Sequence, residues 1–103
     1  MTQTYKKEIL QRLTRNLLDI QLLRLIETEP MWGYKIKKTF ETNLNLKLRH
    51  GALYPMLNHL EIAGYITSQT QQVGRIRKVY TLTDKGKVYL QSYYAVLKEQ
   101  MKK

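Results

Sequence analysis

The apolar positions of this chain keep a helical period over its first quarter but change face along the way. From Thr4 to Glu27 neither proline nor glycine interrupts them. Ile9, Leu10, Leu13, Leu17 and Ile20 form one stripe, while Leu18, Leu22, Leu25 and Ile26 lie roughly on the other side. The pattern predicts one long helix or two joined ones. A helix that is apolar on two faces must be covered on two faces. A small domain supplies the second cover with difficulty, so another subunit is the expected partner for that stripe.

Glu29-Pro30 ends this region, because the residue before a proline is pushed out of the helical range. Met31-Trp32-Gly33 reads as a link, with Trp32 as a packing residue near the next helix start. A second helix is expected over about 33–43. Ile36, Phe40 and the Asn43/Leu44 position would point inward, and Tyr34, Lys35 and Lys38 outward. Asn43-Leu44-Asn45 reads as the turn that follows.

The stretch HGALYPMLNHLEIAGYI (50–66) carries the next helix and its stop signal. Leu53, Met56, Leu57 and Leu60 fall at i, i+3, i+4 and i+7. Gly64 sits just past this stripe, where a left-handed residue ends a helix. Pro55 is awkward inside it, so the helix either starts late, near Gly51, or bends at the proline. Arg49 and His50 are poor N-caps. The opposite face carries Gly51, Pro55 and Asn58, flanked by Tyr54 and His59, without a single acid. That face suits a polyanion as well as it suits plain solvent.

The period then changes to two. Residues 65–70 are rich in β-formers, and RIRKVYTL (75–82) alternates. Ile76, Tyr80 and Leu82 fall on one side of that second run, and Arg75, Arg77 and Thr81 on the other. With Gly74 as the turn residue, this is a hairpin with a basic second strand. Thr83-Asp84 caps a last helix. Leu90, Tyr94, Leu97 and Met101 recur along it at the spacing of a coiled-coil seam, widened by Tyr89, Tyr93 and Val96. Three helices, two strands and a helix make a mainly α fold with an α+β wing. This is a winged helix-turn-helix with a C-terminal dimerisation helix.

At 103 residues the chain is one compact domain. Within it, 1–82 form the winged-helix unit with its N-terminal helix, and 83–103 the dimerisation helix. No apolar run reaches the length of about 18 residues read as a membrane span. The N-terminus lacks a signal-peptide h-region. With no cysteine there is no disulfide framework and no cysteine-based zinc site. A cytoplasmic, nucleoid-associated protein is expected.

The formal charge is +10, and its distribution matters more than its total. Lys35, Lys37, Lys38, Lys47 and Arg49 stand against Glu41 alone in residues 31–59. Arg75, Arg77, Lys78, Lys85 and Lys87 stand against Asp84 alone in residues 75–87. Clustered positive charge is the electrostatic footprint of a nucleic-acid binder, although an anionic membrane would attract it too. The two blocks fall on the helix-turn-helix and on the wing. In this fold the second helix of the pair enters the major groove.

Enzymatic chemistry finds little to work with. There are eight acids, and the two histidines, His50 and His59, fall on different faces of one helix. No carboxylate pair, phosphate-cradling glycine loop or nucleophile triad is visible, and no metal or cofactor is implied.

GYKIKK (33–38), GALYPMLNHLEIAGYI (51–66) and GRIRKVYTLTDKG (74–86) occur in this order. The sequence thereby resembles the PadR family of transcriptional regulators, whose corresponding segments read GYEIKK, GTLYPALxRLExxGLI and GRxRKYYxLTxxG. The resemblance implies a homodimeric repressor of the short-tailed type, whose C-terminal helix packs on the partner's N-terminal region. The candidate DNA-binding residues are Tyr34, Lys35, Lys38, Arg49, His50, Gly51, Ala52, Tyr54, Pro55, Asn58 and His59 of the helix-turn-helix. Arg75, Arg77 and Lys78 of the wing join them. The candidate dimer interface is Leu10, Leu13, Leu17, Leu90, Tyr93, Tyr94, Leu97 and Met101. The chain departs from the family pattern at Ala52, where Thr or Ser is usual, at Arg49, where a Ser cap is common, and at His59, which replaces an arginine.

Two alternatives stay open. A winged helix also serves as a module for RNA or for protein–protein contact, although the basic wing favours duplex DNA. Members of this family are named for a phenolic-acid response, and eight tyrosines would suit a small aromatic effector as well as a core or a dimer seam.

Overall fold

The N-terminal apolar run folds as two helices, α1 (Thr2–Asn16) and α2 (Leu18–Thr28). They meet at Leu17, whose backbone leaves the helical region (φ −120°, ψ 42°). The computed structural model describes residues 2–44 and 47–102. The break at Leu17 explains the change of face. In α2, Leu18, Ile20, Leu22, Leu23 and Ile26 are buried, whereas Ile9 and Leu13 of α1 are exposed. α2 is therefore the central core helix, and α1 reaches out from it with an uncovered apolar side.

After Pro30 the chain forms β1 (Met31–Trp32), α3 (Gly33–Leu44), α4 (His50–Ile62), β2 (Ile66–Val73), β3 (Arg75–Leu82) and α5 (Asp84–Met101). The sheet is antiparallel in the order β1-β3-β2. The wing thus has three strands rather than the two that were expected. Met31 pairs with Tyr80 and Trp32 with Val79, so the predicted link is an edge strand. Two residues are too few to show a period, and their pairing depends on a partner nearly fifty positions away.

Ile36 and Phe40 are buried on α3, as expected, but Asn43 is exposed. The helix runs through Leu44, and the predicted turn residue Asn45 lies outside the described residues. Ile76 departs from its predicted side. It is 68% exposed, while Tyr80 and Leu82 further along the same face are buried. The hairpin tip projects past the core, so its inner face there meets solvent.

α4 starts at His50, which leaves Pro55 inside the helix. The N–H that proline lacks would have bonded to the carbonyl of Gly51. Gly51 is exposed, so water can satisfy that oxygen. Leu53, Leu57 and Leu60 are fully or almost fully buried and hold the helix to the core. At its end Gly64 takes φ +87°. The Gly64 N–H donates to the Glu61 carbonyl and the Tyr65 N–H to the Leu60 carbonyl, a Schellman arrangement.

This helix end is tied to the start of α5. The Thr83 hydroxyl donates to the Gly64 carbonyl at 2.7 Å and accepts from the Gly86 N–H at 3.0 Å. The Thr83 N–H donates to the Tyr65 carbonyl, and Lys85 Nζ donates to the Ala63 carbonyl. Gly86 is buried, and a Cβ there would lie 2.1 Å from the Tyr65 carbonyl oxygen. Only glycine lets α5 approach this closely.

Thr83→Ala removes a cap and a donated bond, each worth about 1 kcal/mol, so urea titration should show a loss of roughly 2 kcal/mol. Thr83→Ser should retain most of it. Gly86→Ala should cost about 3 kcal/mol or more, because backbone rather than a side chain must yield. A Gly86→Ala protein with wild-type stability would show that the two helices are not held this tightly.

Candidate nucleic-acid interface

α3 and α4 form the helix-turn-helix, and α4 turns a continuous face outward. Gly51, Ala52, Tyr54, Pro55, Asn58 and His59 are all exposed on it. Arg49 stands at its N-cap, exposed and without a side-chain cap bond to the helix. The side chain of His50 lies outside the described residues. The acid of this helix, Glu61, faces the wing instead. Glu61 accepts from the Ser68 hydroxyl and lies 3.9 Å from Lys78 Nζ. Burial pushes the Tyr80 phenol above the usual tyrosine range, and Glu61 and then Tyr54 add to the rise.

Strand alternation separates the three basic wing residues. Lys78 shares a face with Tyr80 and is directed to Glu61. Arg75 and Arg77 occupy the other face. Arg77 sits 4.0 Å over the Trp32 ring, and Trp32 packs on Tyr34 with centroids 5.3 Å apart. Lys38 Nζ lies 5.6 Å from the centre of the Tyr34 ring. These four side chains form a ladder of cation, ring, ring and cation from the wing to α3. A cation over an aromatic face is worth about 0.5–2 kcal/mol, so the ladder resists swinging of the wing. Among the described residues Arg77 Nε, which is buried, has no hydrogen-bond partner.

Lys35 pairs with Glu29, and Lys38 lies 3.8 Å from Glu41. Exposed pairs of this kind are worth about 0–1 kcal/mol, so either lysine can turn to a phosphate at little cost. Tyr54 has a second relation that its sequence position did not disclose. A Cβ on Gly33 would fall 2.6 Å from the Tyr54 hydroxyl and 2.7 Å from its ring. The bare α-carbon of Gly33 is therefore the seat of that ring, and the start of α3 positions a residue on the outer face of α4. Trp32, Gly33, Glu61 and Ser68 are contributors that periodicity missed. Each acts through tertiary contact, and a glycine or serine leaves no periodic trace.

The residues expected at a subunit interface divide. Leu90 is fully buried in the chain's own core. Leu17 and Tyr93 are partly buried against that core, and Leu10 is half-buried. Tyr65 and Tyr89 stack at 4.2 Å, and Tyr93 meets Tyr89 edge-on. Burial, with Asp19 next, raises the pKa of both Tyr89 and Tyr93. Tyr89 and Tyr93 thus close the core instead of widening an outer seam. Leu13, Tyr94, Leu97 and Met101 are exposed. No tyrosine lines the cleft beside Thr14 and Arg49 or the one beside Met31 and Thr39. No helix among the described residues is long and apolar enough to cross a membrane.

A double-mutant cycle tests the seat of Tyr54. Gly33→Ala should cost more than about 1 kcal/mol in the wild-type background and under about 0.5 kcal/mol when Tyr54 is already Ala. Equal costs in both backgrounds would mean that the ring does not rest on Gly33.

The family of PadR-like transcriptional regulators matches residues 22–92, from α2 into α5. The chain is similar in structure to a PadR-like transcription factor from Bacteroides fragilis. That likeness has a TM-score of 0.80 at 25% identity, over 92% of this chain and 93% of the other. A PadR family transcriptional regulator from Eggerthella lenta gives 0.79 at 25% identity, over 97% and 88%. Bacillus subtilis PadR, in complex with operator DNA, gives 0.69 at 33% identity, over 76% of this chain and 45% of that one. No curated protein matches the chain. With over half of its length matched and the same winged-helix fold throughout, this chain belongs to the PadR-like family of transcriptional regulators.

Proposed function

We propose that this chain is a repressor that binds a roughly palindromic duplex operator as a homodimer. The carrying observation is the acid-free outer face of α4 beside a wing whose Arg75 and Arg77 lie on one side, in a chain similar to a regulator whose structure holds operator DNA. On this reading α4 enters the major groove. Lys35, Lys38, Arg49 and Arg75 supply the sequence-independent grip on phosphates. Tyr54, Asn58 and His59 face the base edges. An asparagine suits the paired acceptor and donor that adenine displays there. Repression follows from occupancy of the site.

Dimerisation is supported by uncovered apolar surface on two elements. Tyr5, Ile9 and Leu13 of α1 and Tyr94, Leu97 and Met101 of α5 are exposed. Contiguous apolar patches on a soluble chain mark interaction sites. A two-fold pairing of these helices would present two copies of α4 about 34 Å apart, one turn of DNA.

Three measurements test the proposal. If a dimer neutralises about eight phosphates, log K against log salt should fall with a slope near −7. A slope shallower than about −2 on any duplex, or preference for single-stranded RNA, would overturn it. Arg75→Ala should weaken all duplexes alike, while Asn58→Ala should also change which sequence is preferred. Leu97→Glu places an unpaired charge in the apolar surface, at a cost of a few kcal/mol or about that order if buried by a partner. Sedimentation should then show a dimeric wild type and a monomeric variant of unchanged helicity. A wild-type monomer, or a variant that stays dimeric, would remove α5 from the interface.

A further inference from the structure

The outer half of the wing has little backbone to hold it. β1 reaches only Val79 and Tyr80 of β3, so residues 75–78 pair with β2 alone. A two-stranded ribbon of this kind is marginally stable by itself, and its direction is set by what its side chains touch. On one face Lys78 lies 3.9 Å from Glu61 of α4. On the other the Arg77 guanidinium lies 4.0 Å over the Trp32 ring. Trp32 pairs with Val79, and its ring carries that edge two residues further toward the tip.

Arg77 is placed for this contact rather than for a phosphate. It is half-buried, and its Nε is enclosed. An arginine clasps a phosphate through the fork of its N–H groups, and the side of the fork that includes Nε is closed here to a DNA backbone. Its flat, weakly hydrated guanidinium is suited to lie on an aromatic face. Arg75, two residues nearer the tip on the same face, is exposed and keeps its charge available. One peptide bond then joins Trp32 to Gly33, the seat of Tyr54 on α4. The tripeptide Trp32-Gly33-Tyr34 thus holds the wing with its first residue and the outer face of α4 with its second. The Tyr34 ring packs at 5.3 Å on that of Trp32.

We propose that Trp32 and Arg77 are positioning residues that determine sequence specificity: they set the angle of the wing to α4, and Arg77 stays on the indole when DNA is bound. This rests on the DNA-binding reading above. On that reading, sequence preference needs α4 in the major groove and the wing on the flanking backbone at once. A wing already at the right angle meets that need with little loss of freedom on binding. A loose wing keeps its charges and still grips any duplex. Loosening therefore lowers the ratio of specific to non-specific binding and leaves the electrostatic grip intact.

Trp32→Leu tests this, because it removes the ring face and keeps every charge. The probes are a duplex selected by the wild type from a random pool and an unrelated duplex of the same length. Trp32→Leu should weaken binding to the selected duplex at least fivefold and to the unrelated one less than twofold, with the salt slope of the wild type. Trp32→Phe, which restores a ring, should recover most of the lost ratio. Arg77→Gln should weaken the selected duplex at least fivefold in the wild-type background and less than twofold when Trp32 is already Leu. Thermal melts identify folded variants, and Arg77→Gln, on the outer wing, carries the comparison if Trp32→Leu does not fold. Equal losses in both backgrounds, with the salt slope flattened by about 2 for two subunits, would make Arg77 a phosphate ligand and overturn the proposal. A Trp32→Leu protein that prefers the selected duplex as strongly as the wild type does would overturn it too.

Trp32 is the only tryptophan in the chain, so its fluorescence gives a separate readout. In the free protein Arg77→Gln should shift its emission maximum, and no shift would mean that the guanidinium is not on the ring. Saturating the wild type with the selected duplex should leave the maximum in place. Movement to the position of Arg77→Gln would show that Arg77 leaves the ring for DNA, against the proposal. A wild type that binds no duplex, or all duplexes alike, refutes the proposed function and the positioning role together. A wild type that discriminates, matched by Trp32→Leu, refutes the positioning role alone.

Discussion

The Thr83 hydroxyl is the joint on which the arrangement of this chain depends. It donates to the Gly64 carbonyl and accepts from the Gly86 N–H, so one side chain serves the end of α4 and the start of α5 together. Around it the Thr83 N–H reaches the Tyr65 carbonyl, and Gly86 brings α5 against that same oxygen. The consequence reaches beyond stability. α4 carries the outer face that the proposed reading gives to DNA, and α5 carries part of the apolar surface that it gives to a second copy. On that reading, a rigid link between them converts the geometry of a dimer into a fixed spacing of its two recognition helices. A loose joint would leave that spacing unspecified, however well each helix was made.

The wing is held by a different logic. Its base is fixed by core burial of Ile66, Tyr80 and Leu82, while its outer half has no core beneath it. There the structure uses polar and aromatic contacts. Glu61 gathers Ser68 and Lys78 on one face, and Trp32 receives Arg77 on the other. Lys78 and Arg77 are adjacent bases with opposite orientations. The first ties the wing to α4, and the second ties it to β1 and α3. Arg75, nearest the tip, is exposed and has no ion pair among the described residues. Positive charge on the wing is thus partly structural, and net charge alone overstates what is available to a polyanion.

Much of the fold was legible because it rests on periodicity. The buried Leu53, Leu57 and Leu60 stripe, the Gly64 stop and the Thr83 cap are local signals whose mechanism acts within one or two turns. What escaped notice depends on residues distant in sequence. β1 is too short to show alternation, and Trp32 became a strand residue only through pairing with Val79. Ile76 obeys the alternation yet lies where the core has ended. Leu90 fits a coiled-coil spacing, but that spacing cannot distinguish a seam facing a partner from one facing α2, and here Leu90 is wholly internal. The outer face of α4 was foreseen from its lack of acids. Its support by Gly33 was not, since a missing side chain carries no pattern.

α4 is a poor helix by local standards. It begins without a side-chain cap, has glycine at its second position and carries proline in its second turn. Missing caps and interior glycines each cost a helix about 1 kcal/mol, and an interior proline about 3. All three features lie on its outer, N-terminal part, away from the core. Burial repays them on the other side, where Leu53, Leu57 and Leu60 each contribute roughly 1.5–3 kcal/mol. The division follows from the demands on the two faces. A capped N-terminus would have its own acceptor, and Arg49 in place of a cap leaves free N–H groups beside a positive charge. A small residue at position 51 and a flat ring at 55 keep the outer surface low, so that Tyr54 and Asn58 project from it. The helix is stabilised from behind while its front remains incomplete, and this incomplete, acid-free front is the surface that the proposed reading gives to DNA phosphates.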